Sequence, residues 1–254
     1  METEISPVVE KKIFFASDFH LGLKTGLPPV EREKRVVRWL ESAAADAGEI
    51  YLLGDVFDFW WEYRHVVPRG FTRFLGAVSS VTDSGIPVHF FGGNHDMWAG
   101  NYLTEECGMI IHKKPVITEF AGKRFYLAHG EGLGSKSIVY RMLLLIFRNR
   151  PMQVMYSALH PYFGIGFGHW WSLDSRLGKG ISLEFLGEEK EDLFRHSKMI
   201  LETEKIDYFI YGHRHLPMTK PIEKGAVITI LGDWISKGVY AVWDGKSLDL
   251  RVAD

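Results

Sequence analysis

The sequence predicts an α/β fold in which short apolar strands alternate with amphipathic helices. Five short runs are rich in Ile, Phe, Tyr, Leu or Val and are bounded by turn residues, which is typical of strands. Helical patterns over residues 30–47 and 72–82 lie between the first three runs, which favours parallel pairing and leaves a mixed sheet as an alternative. The five predicted strands are residues 12–17, 50–53, 88–91, 124–128 and 208–211.

Two further patterns predict antiparallel hairpins that add strands to this arrangement. In each, a short connection that contains a residue–glycine pair separates two short runs with strand character, which is a local signal for a hairpin. The predicted hairpins join residues 115–120 to 123–128 through Ala121-Gly122, and residues 239–243 to 247–252 through Asp244-Gly245.

The composition bounds the class of protein. A chain of 254 residues, 46% hydrophobic and 24% charged, fits one α/β domain with an insertion. A net charge of -2 with interspersed signs does not favour nucleic acid as a partner. Cys107 is the only cysteine, which excludes an intramolecular disulfide and a thiolate zinc site and favours a reducing compartment. The N-terminal METEISPVVEKK is acidic and the aliphatic run 142–147 is short, so we expect a cytoplasmic chain without a membrane span.

Residue types that bind metals come directly after each of the five predicted strands, and this is the most informative feature of the chain. In open α/β sheets the functional crevice lies beyond the carboxyl ends of the strands, so we expect these loops to converge. Any one of them could be an Asx turn, a helix cap or a core histidine, but all five together favour a site. The five loops are Asp18-Phe19-His20, Gly54-Asp55-Val56-Phe57-Asp58, Gly93-Asn94-His95-Asp96, His129-Gly130 and Gly212-His213-Arg214-His215.

Carboxylate, imidazole and amide donors without thiolate suit borderline or harder divalent ions, among them Mn²⁺, Fe²⁺ and Zn²⁺. The potential ligands are too many for one tetrahedral centre and fit two ions that share a carboxylate. Two metals about 3.5 to 4 Å apart can clamp phosphoryl oxygens during in-line displacement, so the sequence predicts a two-metal phosphoesterase. The potential ligands are Asp18, His20, Asp55, Asn94, His129, His213 and His215.

The motifs D-x-H, G-D-x-x-D, G-N-H-D, H-G and G-H-x-H, in this order, resemble those of the calcineurin-like metallophosphoesterases. The resemblance implies a core of mixed β-sheets flanked by helices, with an inserted helical lid. It also implies two ligand sets that share one carboxylate. One metal would be held by Asp18, His20, Asp55 and His215, and the other by Asp55, Asn94, His129 and His213.

The same resemblance implies catalytic roles beside the metals. His95 would point at the substrate phosphate and assist charge stabilisation or leaving-group protonation. Asp96 would orient His95. Asp58 would either support a metal ligand or hold its own loop.

Residues 130–205 separate two predicted strands by far more than an ordinary connection, so we expect a helical lid and return helix there. The core would then comprise residues 1–129 and 206–254. Residues 137–148 form a helical pattern that is apolar around most of its circumference, as in a buried or lipid-facing helix; an ordinary subdomain core is the alternative. Candidate contacts to phosphate or a head group are Lys136, Arg141, Arg148, Arg150 and Lys179.

The longer motifs YLLGDVFDFWWEY, GNHDMW, LAHGEGL, GHRHLP and LGDW, with the inserted lid, resemble the UDP-2,3-diacylglucosamine hydrolase branch of this family. The resemblance implies cleavage of UDP-2,3-diacylglucosamine, a nucleotide-linked glycolipid, to 2,3-diacylglucosamine 1-phosphate and UMP in lipid A biosynthesis. Asn94, His95 and His213 would join the lid cations in binding substrate. Bound acyl chains would draw the enzyme to the cytoplasmic face of the inner membrane, and no obligate protein partner is expected.

Two positions depart from the usual proteobacterial pattern of that branch. Arginine usually follows the asparagine ligand and aspartate follows the later His-Gly pair, whereas this chain has His95 and Glu131. Either leaving-group assistance or the substrate therefore differs. The alternatives are a phosphodiesterase or phosphatase acting on another nucleotide or phospho-substrate, and a non-catalytic scaffold of the same fold.

Four large aromatic residues lie close to the motifs. Trp60, Trp61 and Tyr63 follow the Asp55 loop and would form either a wall of the cleft or part of the core. Trp234 would either face the site or pack beneath it.

Overall fold

Eleven strands form the framework of the protein, for which a computed structural model describes residues 11–135, 137–179 and 184–253. The five strands predicted from the sequence are all present, with ends that differ by up to three residues. The strands are β1 (Lys12–Ala16), β2 (Ala47–Leu52), β3 (Val88–Phe91), β4 (Ile110–His112), β5 (Val116–Phe120), β6 (Lys123–Ala128), β7 (Tyr208–Tyr211), β8 (Met218–Pro221), β9 (Val227–Ile230), β10 (Val239–Trp243) and β11 (Leu248–Val252).

The helices lie between these strands and in the long connection after β6. The predicted helix over residues 30–47 ends at Ala44, because Ala47 already pairs with Lys12 in the first sheet. A 3₁₀ turn covers Glu223–Gly225. The helices are α1 (Pro29–Ala44), α2 (Thr72–Asp83), α3 (Tyr102–Glu105), α4 (Ile138–Arg148), α5 (Arg150–Ser157), α6 (Pro161–Lys179) and α7 (Asp192–Thr203).

The strands form two mixed sheets, in agreement with the predicted fold class. The first has the order β11-β10-β1-β2-β3-β4, in which β1 to β4 run parallel to one another. In the same sheet β10 pairs antiparallel with β1, and β11 pairs antiparallel with β10. The second has the order β5-β6-β7-β9-β8, with β6, β7 and β9 parallel and both edge strands antiparallel. Both predicted hairpins are present, as β5–β6 and β10–β11.

Side chains that alternate along β1 connect the first sheet to the second sheet on one face and to helices on the other. Phe15 belongs to a buried cluster that contains residues of both sheets, so the two sheets pack face to face. Phe14 points the other way, into the cluster that α1 and α2 form with the first sheet. A third cluster joins α7, through Phe194 and Leu201, to the outer face of the second sheet. This layering brings the carboxyl ends of the parallel strands of both sheets to one edge.

The connection between β6 and β7 contains α4, α5 and α6, here called the α4–α6 segment (residues 138–179), followed by α7. The predicted apolar helix is α4, but most of it is not buried: Val139 is 78% exposed and Leu145 70%, whereas Leu144 is 9% exposed. In the part of the chain that the structure describes, no helix is long and apolar enough to cross a bilayer. Residues 1–10 of the acidic N-terminal segment and Lys136 lie outside the described residues, as do the side chains of Arg141 and Lys179.

Candidate metal centre

The five predicted loops meet at the edge where the parallel strands of both sheets end. Their backbone is unusual, because a left-handed conformation at a residue other than glycine is uncommon and is often found at functional sites. Among the described residues, eight such positions occur, and five of them are predicted metal ligands. These five are Asp18 (φ 57°), His20 (46°), Asp55 (51°), His213 (66°) and His215 (52°).

Asp55 lies at the centre of the arrangement. Its Oδ2 atom is 3.3 Å from Nε2 of His129, 3.9 Å from Nε2 of His20 and 4.0 Å from Nε2 of His95. Its Oδ1 atom accepts a hydrogen bond of 2.9 Å from the backbone N–H of His95. One carboxylate oxygen is therefore held by the backbone, and the other faces three imidazoles.

Asp18 is held in the same way by one oxygen. Its Oδ2 accepts hydrogen bonds from the Ser17 hydroxyl at 2.5 Å and from the backbone N–H of His213 at 3.0 Å. Its Oδ1 lies 3.3 Å from Nε2 of His215 and 3.8 Å from Nε2 of His20. The other oxygens, Oδ1 of Asp18 and Oδ2 of Asp55, thus both point at imidazole nitrogens.

The donor atoms fall into overlapping groups in which all members lie within 4.8 Å of one another. These groups correspond to the two ligand sets that the resemblance implies, with His95 placed between them. That these residues bind metal stays a prediction. The groups are Asp18 with His20 and His215, Asp55 with His129 and His213, and His20 with Asp55 and His95.

Three of the expected donor atoms are buried and form no hydrogen bond within the described part of the chain: Asp18 Oδ1, Asn94 Oδ1 and His129 Nε2. Two of these atoms make contacts of 3.3 Å, Asp18 Oδ1 to His215 and His129 Nε2 to Asp55. Leaving a buried polar atom without a hydrogen bond costs about 1–3 kcal/mol, and a cation bound in the site would supply the partner. His129 Nδ1 lies 2.7 Å from the carbonyl oxygen of Leu53, which fixes the proton on Nδ1 and leaves Nε2 free to bind an ion. Carboxylate, amide and imidazole donors in this state fit divalent metal ions.

The charges of the metal-free site are strongly coupled. Burial raises the pKa of Asp55, but the imidazoles of His129 and His95 outweigh this and hold it well below its usual range. Burial lowers the pKa of His215, but the Asp18 carboxylate outweighs this and raises it to about 9. Burial and the nearby His129 lower the pKa of His213 to about 3. In the absence of metal, protons on selected imidazoles therefore balance the two carboxylates.

The expectation that Asp96 orients His95 is wrong. The Asp96 carboxylate is fully buried and accepts hydrogen bonds from the backbone N–H groups of Gly93, Asp55 and Phe57 at 2.7, 3.2 and 3.1 Å. It therefore holds the loops after β2 and β3 together. Burial and the nearby Asp55 carboxylate raise the pKa of Asp96 to about 7.

His95 is oriented by other groups. Its Nδ1 atom lies 3.0 Å from the carbonyl oxygen of Asp58 and 3.1 Å from the hydroxyl of Ser172, a residue of α6. The Asp58 carboxylate is 3.1 Å from the same hydroxyl and 4.0 Å from Nδ1 of His20. The Asp58 carboxylate thus lies between α6 and a metal-ligand candidate, which fits the first of the two roles that the sequence left open, support of a ligand.

Sequence reasoning missed Asp233, although it lies in the motif LGDW after β9. Its Oδ2 is 3.4 Å from Nδ1 of His215, on the far side of the ring from Asp18. Its Oδ1 accepts hydrogen bonds from the backbone and the hydroxyl of Ser236. Trp234 is fully buried and packs against Phe19 beneath the site. The signal for Asp233 was its position in the loop that follows β9, as for the other ligand loops.

Replacing Asp233 with asparagine is expected to weaken metal binding by about 10- to 100-fold, because carboxylates that orient a ligating histidine contribute to its basicity. The measurement is titration of the metal-free variant with Mn²⁺. Asp207→Asn, directly before β7 and so at the end of that strand away from the site, is the matched control and should bind Mn²⁺ as the wild type does. Unchanged affinity in Asp233→Asn would contradict the role assigned to this carboxylate.

A cleft of about 1170 Å³ opens beside the metal-ligand candidates, between the core and the α4–α6 segment. Trp61, Tyr63 and His129 contribute to its walls, whereas Trp60 is fully buried in the core. Among the predicted lid cations, Arg148 and Arg150 line the cleft. Lys113 and Lys114 also line it and were not identified from the sequence, because they follow a three-residue strand that the sequence did not reveal.

Arg148 connects the α4–α6 segment to the site. Its guanidinium lies 2.5 Å from the carboxylate of Glu131, which is buried directly after the His129-Gly130 loop. Burial raises the pKa of Glu131. The side chain of Arg148 remains 55% exposed, so it can also reach a ligand in the cleft.

Comparisons with known proteins agree with this geometry. A family model described as calcineurin-like phosphoesterase matches residues 11–217. The chain is 41% identical over 256 aligned positions to a UDP-2,3-diacylglucosamine hydrolase of Porphyromonas gingivalis, covering 96% of this chain and 98% of that protein. It is 28% identical to a protein of the same name from Hamiltonella defensa, covering 94% and 91%.

Solved structures with a similar fold include a dimetal phosphatase from Danio rerio, with a TM-score of 0.49, 14% identity and 96% of each chain covered. Another is a phosphoesterase from Escherichia coli, with a TM-score of 0.45, 14% identity, and 96% of this chain and 100% of that chain covered. These likenesses concern the fold alone.

Proposed function

The chain belongs to the calcineurin-like phosphoesterase family, and we propose that it hydrolyses the diphosphate of UDP-2,3-diacylglucosamine to 2,3-diacylglucosamine 1-phosphate and UMP. The observation that carries the proposal is the convergence of carboxylate, amide and imidazole donor atoms around Asp55 and Asp18, beside a cleft that the α4–α6 segment borders. The relatives named UDP-2,3-diacylglucosamine hydrolase, which align over almost the whole chain, support the choice of substrate.

The proposed reaction needs two divalent ions, with Mn²⁺ as the expected metal. When bound, they would supply activation of water and neutralisation of the phosphoryl oxygens. Asp18, His20, Asp55 and His215 would hold one ion. Asp55, Asn94, His129 and His213 would hold the other, so that Asp55 is shared.

His95 supplies the part of the chemistry that depends on a proton. Its Nδ1 faces the Asp58 carbonyl oxygen, and its Nε2 faces the centre, 4.0 Å from Asp55 Oδ2. A substrate phosphate placed over the centre would meet this Nε2. There the imidazole would stabilise charge on phosphoryl oxygens or give a proton to the leaving oxygen.

We propose that residues 130–205 act as a lid over a core formed by residues 1–129 and 206–254. The cleft between the α4–α6 segment and the core combines aromatic walls with the cations Arg148 and Arg150. Guanidinium groups bind phosphate oxygens through paired hydrogen bonds, which fits a diphosphate. Apolar side chains of the same segment would hold the acyl chains.

The outer surface of this segment supports a peripheral contact with a membrane. A soluble protein rarely exposes so many large apolar side chains in one region. Acyl chains that enter the cleft from a lipid surface would bring this region against it. The side chains that are at least half exposed are Ile138, Val139, Met142, Leu145, Ile146, Val154, Met155, Tyr162, Phe163, Phe167 and Trp170.

Replacing Val139 and Leu145 together with glutamate is expected to lower the vesicle-bound fraction of the protein at least about fivefold, because two charges would enter the apolar surface. The measurement is flotation with vesicles of phosphatidylethanolamine and phosphatidylglycerol. Val252→Glu, an exposed apolar position on β11, is the control and should float as the wild type does. Equal flotation of all three proteins would exclude this surface as the membrane contact.

The direct test of the function incubates the Mn²⁺-loaded protein with UDP-2,3-diacylglucosamine and measures UMP. We expect kcat/KM to exceed that for UDP-N-acetylglucosamine, which lacks the long acyl chains, by at least about 100-fold, since each buried CH₂ contributes about 0.8 kcal/mol. Comparable turnover of both, or hydrolysis of soluble diesters only, would assign the site to another nucleotide or phospho-substrate.

A further inference from the structure

A serine of the α4–α6 segment reaches the edge of the metal centre. Ser172 lies on α6 and is 2% exposed. Its hydroxyl is 3.1 Å from Nδ1 of His95 and 3.1 Å from Oδ1 of Asp58. A residue that is far from the motif loops in the chain thus contacts His95, the imidazole that is expected to assist the reaction.

The chemistry of the three groups fixes the direction of these hydrogen bonds. The Ser172 hydroxyl donates its hydrogen to Asp58 Oδ1. The lone pairs of that hydroxyl and the carbonyl oxygen of Asp58 then both face Nδ1 of His95. Two acceptors at Nδ1 keep the proton on that atom, and Nε2 is presented to the centre.

The close fit of α6 against the core places Ser172 beside His95. Gly164, Gly168 and Ser172 are spaced four residues apart and share one face of the helix. A Cβ atom at Gly164 would collide with the hydroxyl of Tyr63, and one at Gly168 would collide with the ring of Phe59. The helix therefore approaches the loop after Asp55 so closely that only small residues fit.

We propose that Ser172 is a positioning residue for His95, so that seating of α6 on the loop of residues 58–63 orients the imidazole for the reaction. The inference deepens the proposed function and rests on it for the role of His95. This role differs from a direct contact with substrate, because the Ser172 hydroxyl donates to Asp58 and faces Nδ1 of His95, the ring nitrogen that points away from the metal centre. It also supplies a reason for a lid helix to affect turnover and not only binding.

The test is a double-mutant cycle with Ser172→Ala and His95→Gln. We expect Ser172→Ala to lower kcat about 10- to 100-fold with KM within about twofold, within the range that a positioned acid or base supplies. Ser172→Thr keeps the hydroxyl and should stay within about threefold of wild type. In the His95→Gln background, Ser172→Ala should change kcat less than about twofold, because the group it positions is gone. An equal loss in both backgrounds, or a loss confined to KM, would overturn the proposal.

A readout that does not depend on turnover separates this inference from the proposed function. The measurement is the NMR signal of the His95 Nδ1–H proton in the Zn²⁺-loaded protein, and its absence in His95→Gln assigns it. The signal should be visible in the wild type and in Ser172→Thr. In Ser172→Ala it should be lost to exchange with solvent. A retained signal in Ser172→Ala would overturn the proposal. If the signal behaves as expected while UDP-2,3-diacylglucosamine is not cleaved, only the proposed substrate fails.

A matched pair on the same helix tests the seating of α6. Gly168→Ala should lower kcat and broaden the His95 proton signal, because the new methyl group meets Phe59. Gly166→Ala, where no atom lies within 4 Å of the added Cβ, should leave both unchanged. Equal behaviour of the two variants would contradict coupling between α6 and His95.

Discussion

Replacing Asp55 with asparagine is expected to lower kcat at least about a thousandfold, because it removes the one charge that both metals would share. Asparagine has nearly the same shape, so the backbone hydrogen bond from His95 can persist. Its neutral amide would remove the negative charge from the position of Oδ2, the atom that faces His129, His20 and His95. The measurement is kcat for UMP release by the Mn²⁺-loaded variant, together with its metal content.

Asp249→Asn is the control for this prediction, since Asp249 is an exposed aspartate on β11. It should retain full activity and full metal content. An Asp55→Asn enzyme that kept more than about a tenth of the wild-type kcat would contradict a shared carboxylate.

Removal of the metals with a chelator is expected to abolish activity and to lower the free energy of unfolding. A ligand that binds only the folded state stabilises it by about 2.7 kcal/mol per site at a free concentration of one hundred times Kd. The buried donor atoms Asp18 Oδ1, Asn94 Oδ1 and His129 Nε2 would lose their partners at the same time. Denaturant titration of loaded and metal-free protein measures the difference, and activity should return with Mn²⁺.

The difference in the free energy of unfolding between the metal-loaded and the metal-free protein should grow between about pH 6.5 and 9. The folded-state pKa of His215 is raised to about 9, since the Asp18 carboxylate outweighs the lowering by burial. The protonated ring therefore stabilises the metal-free protein fully below about pH 6.5, and this contribution is lost as the pH rises to about 9. Metal binding needs neutral imidazoles, so it strengthens over the same range. A metal-free protein whose stability did not fall over this range would contradict the account.

The sequence predicted the parts of the site that depend on chain order alone. Asp18, Asp55 and His129 each follow an apolar run, and a strand delivers the residue after it to the edge of the sheet. The side-chain type of each residue also states which donor atom it can offer to a metal ion. The convergence was therefore predictable from strand patterns without knowledge of distances.

The parts that sequence reasoning missed depend on packing between distant elements. Ser172 reaches His95 only because Gly164 and Gly168 allow α6 to lie against Phe59 and Tyr63. A periodicity argument assigns the helix but not the partner of each face.

Asp233 and Asp96 show the same limit. Asp233 contacts His215 because β9 lies beside β7, a pairing that the sequence did not reveal. Asp96 follows His95 directly, yet its carboxylate turns to the backbone of Gly93, Asp55 and Phe57. Adjacency in the chain therefore did not identify the groups that position His95.

The most direct test of the central claim is a crystal structure of the Mn²⁺-loaded protein with anomalous diffraction from manganese. Two anomalous peaks are expected on either side of Asp55 Oδ2, one beside Asp18, His20 and His215, and the other beside Asn94, His129 and His213. A single peak, or peaks away from Asp55, would contradict a pair of metals held around one shared carboxylate.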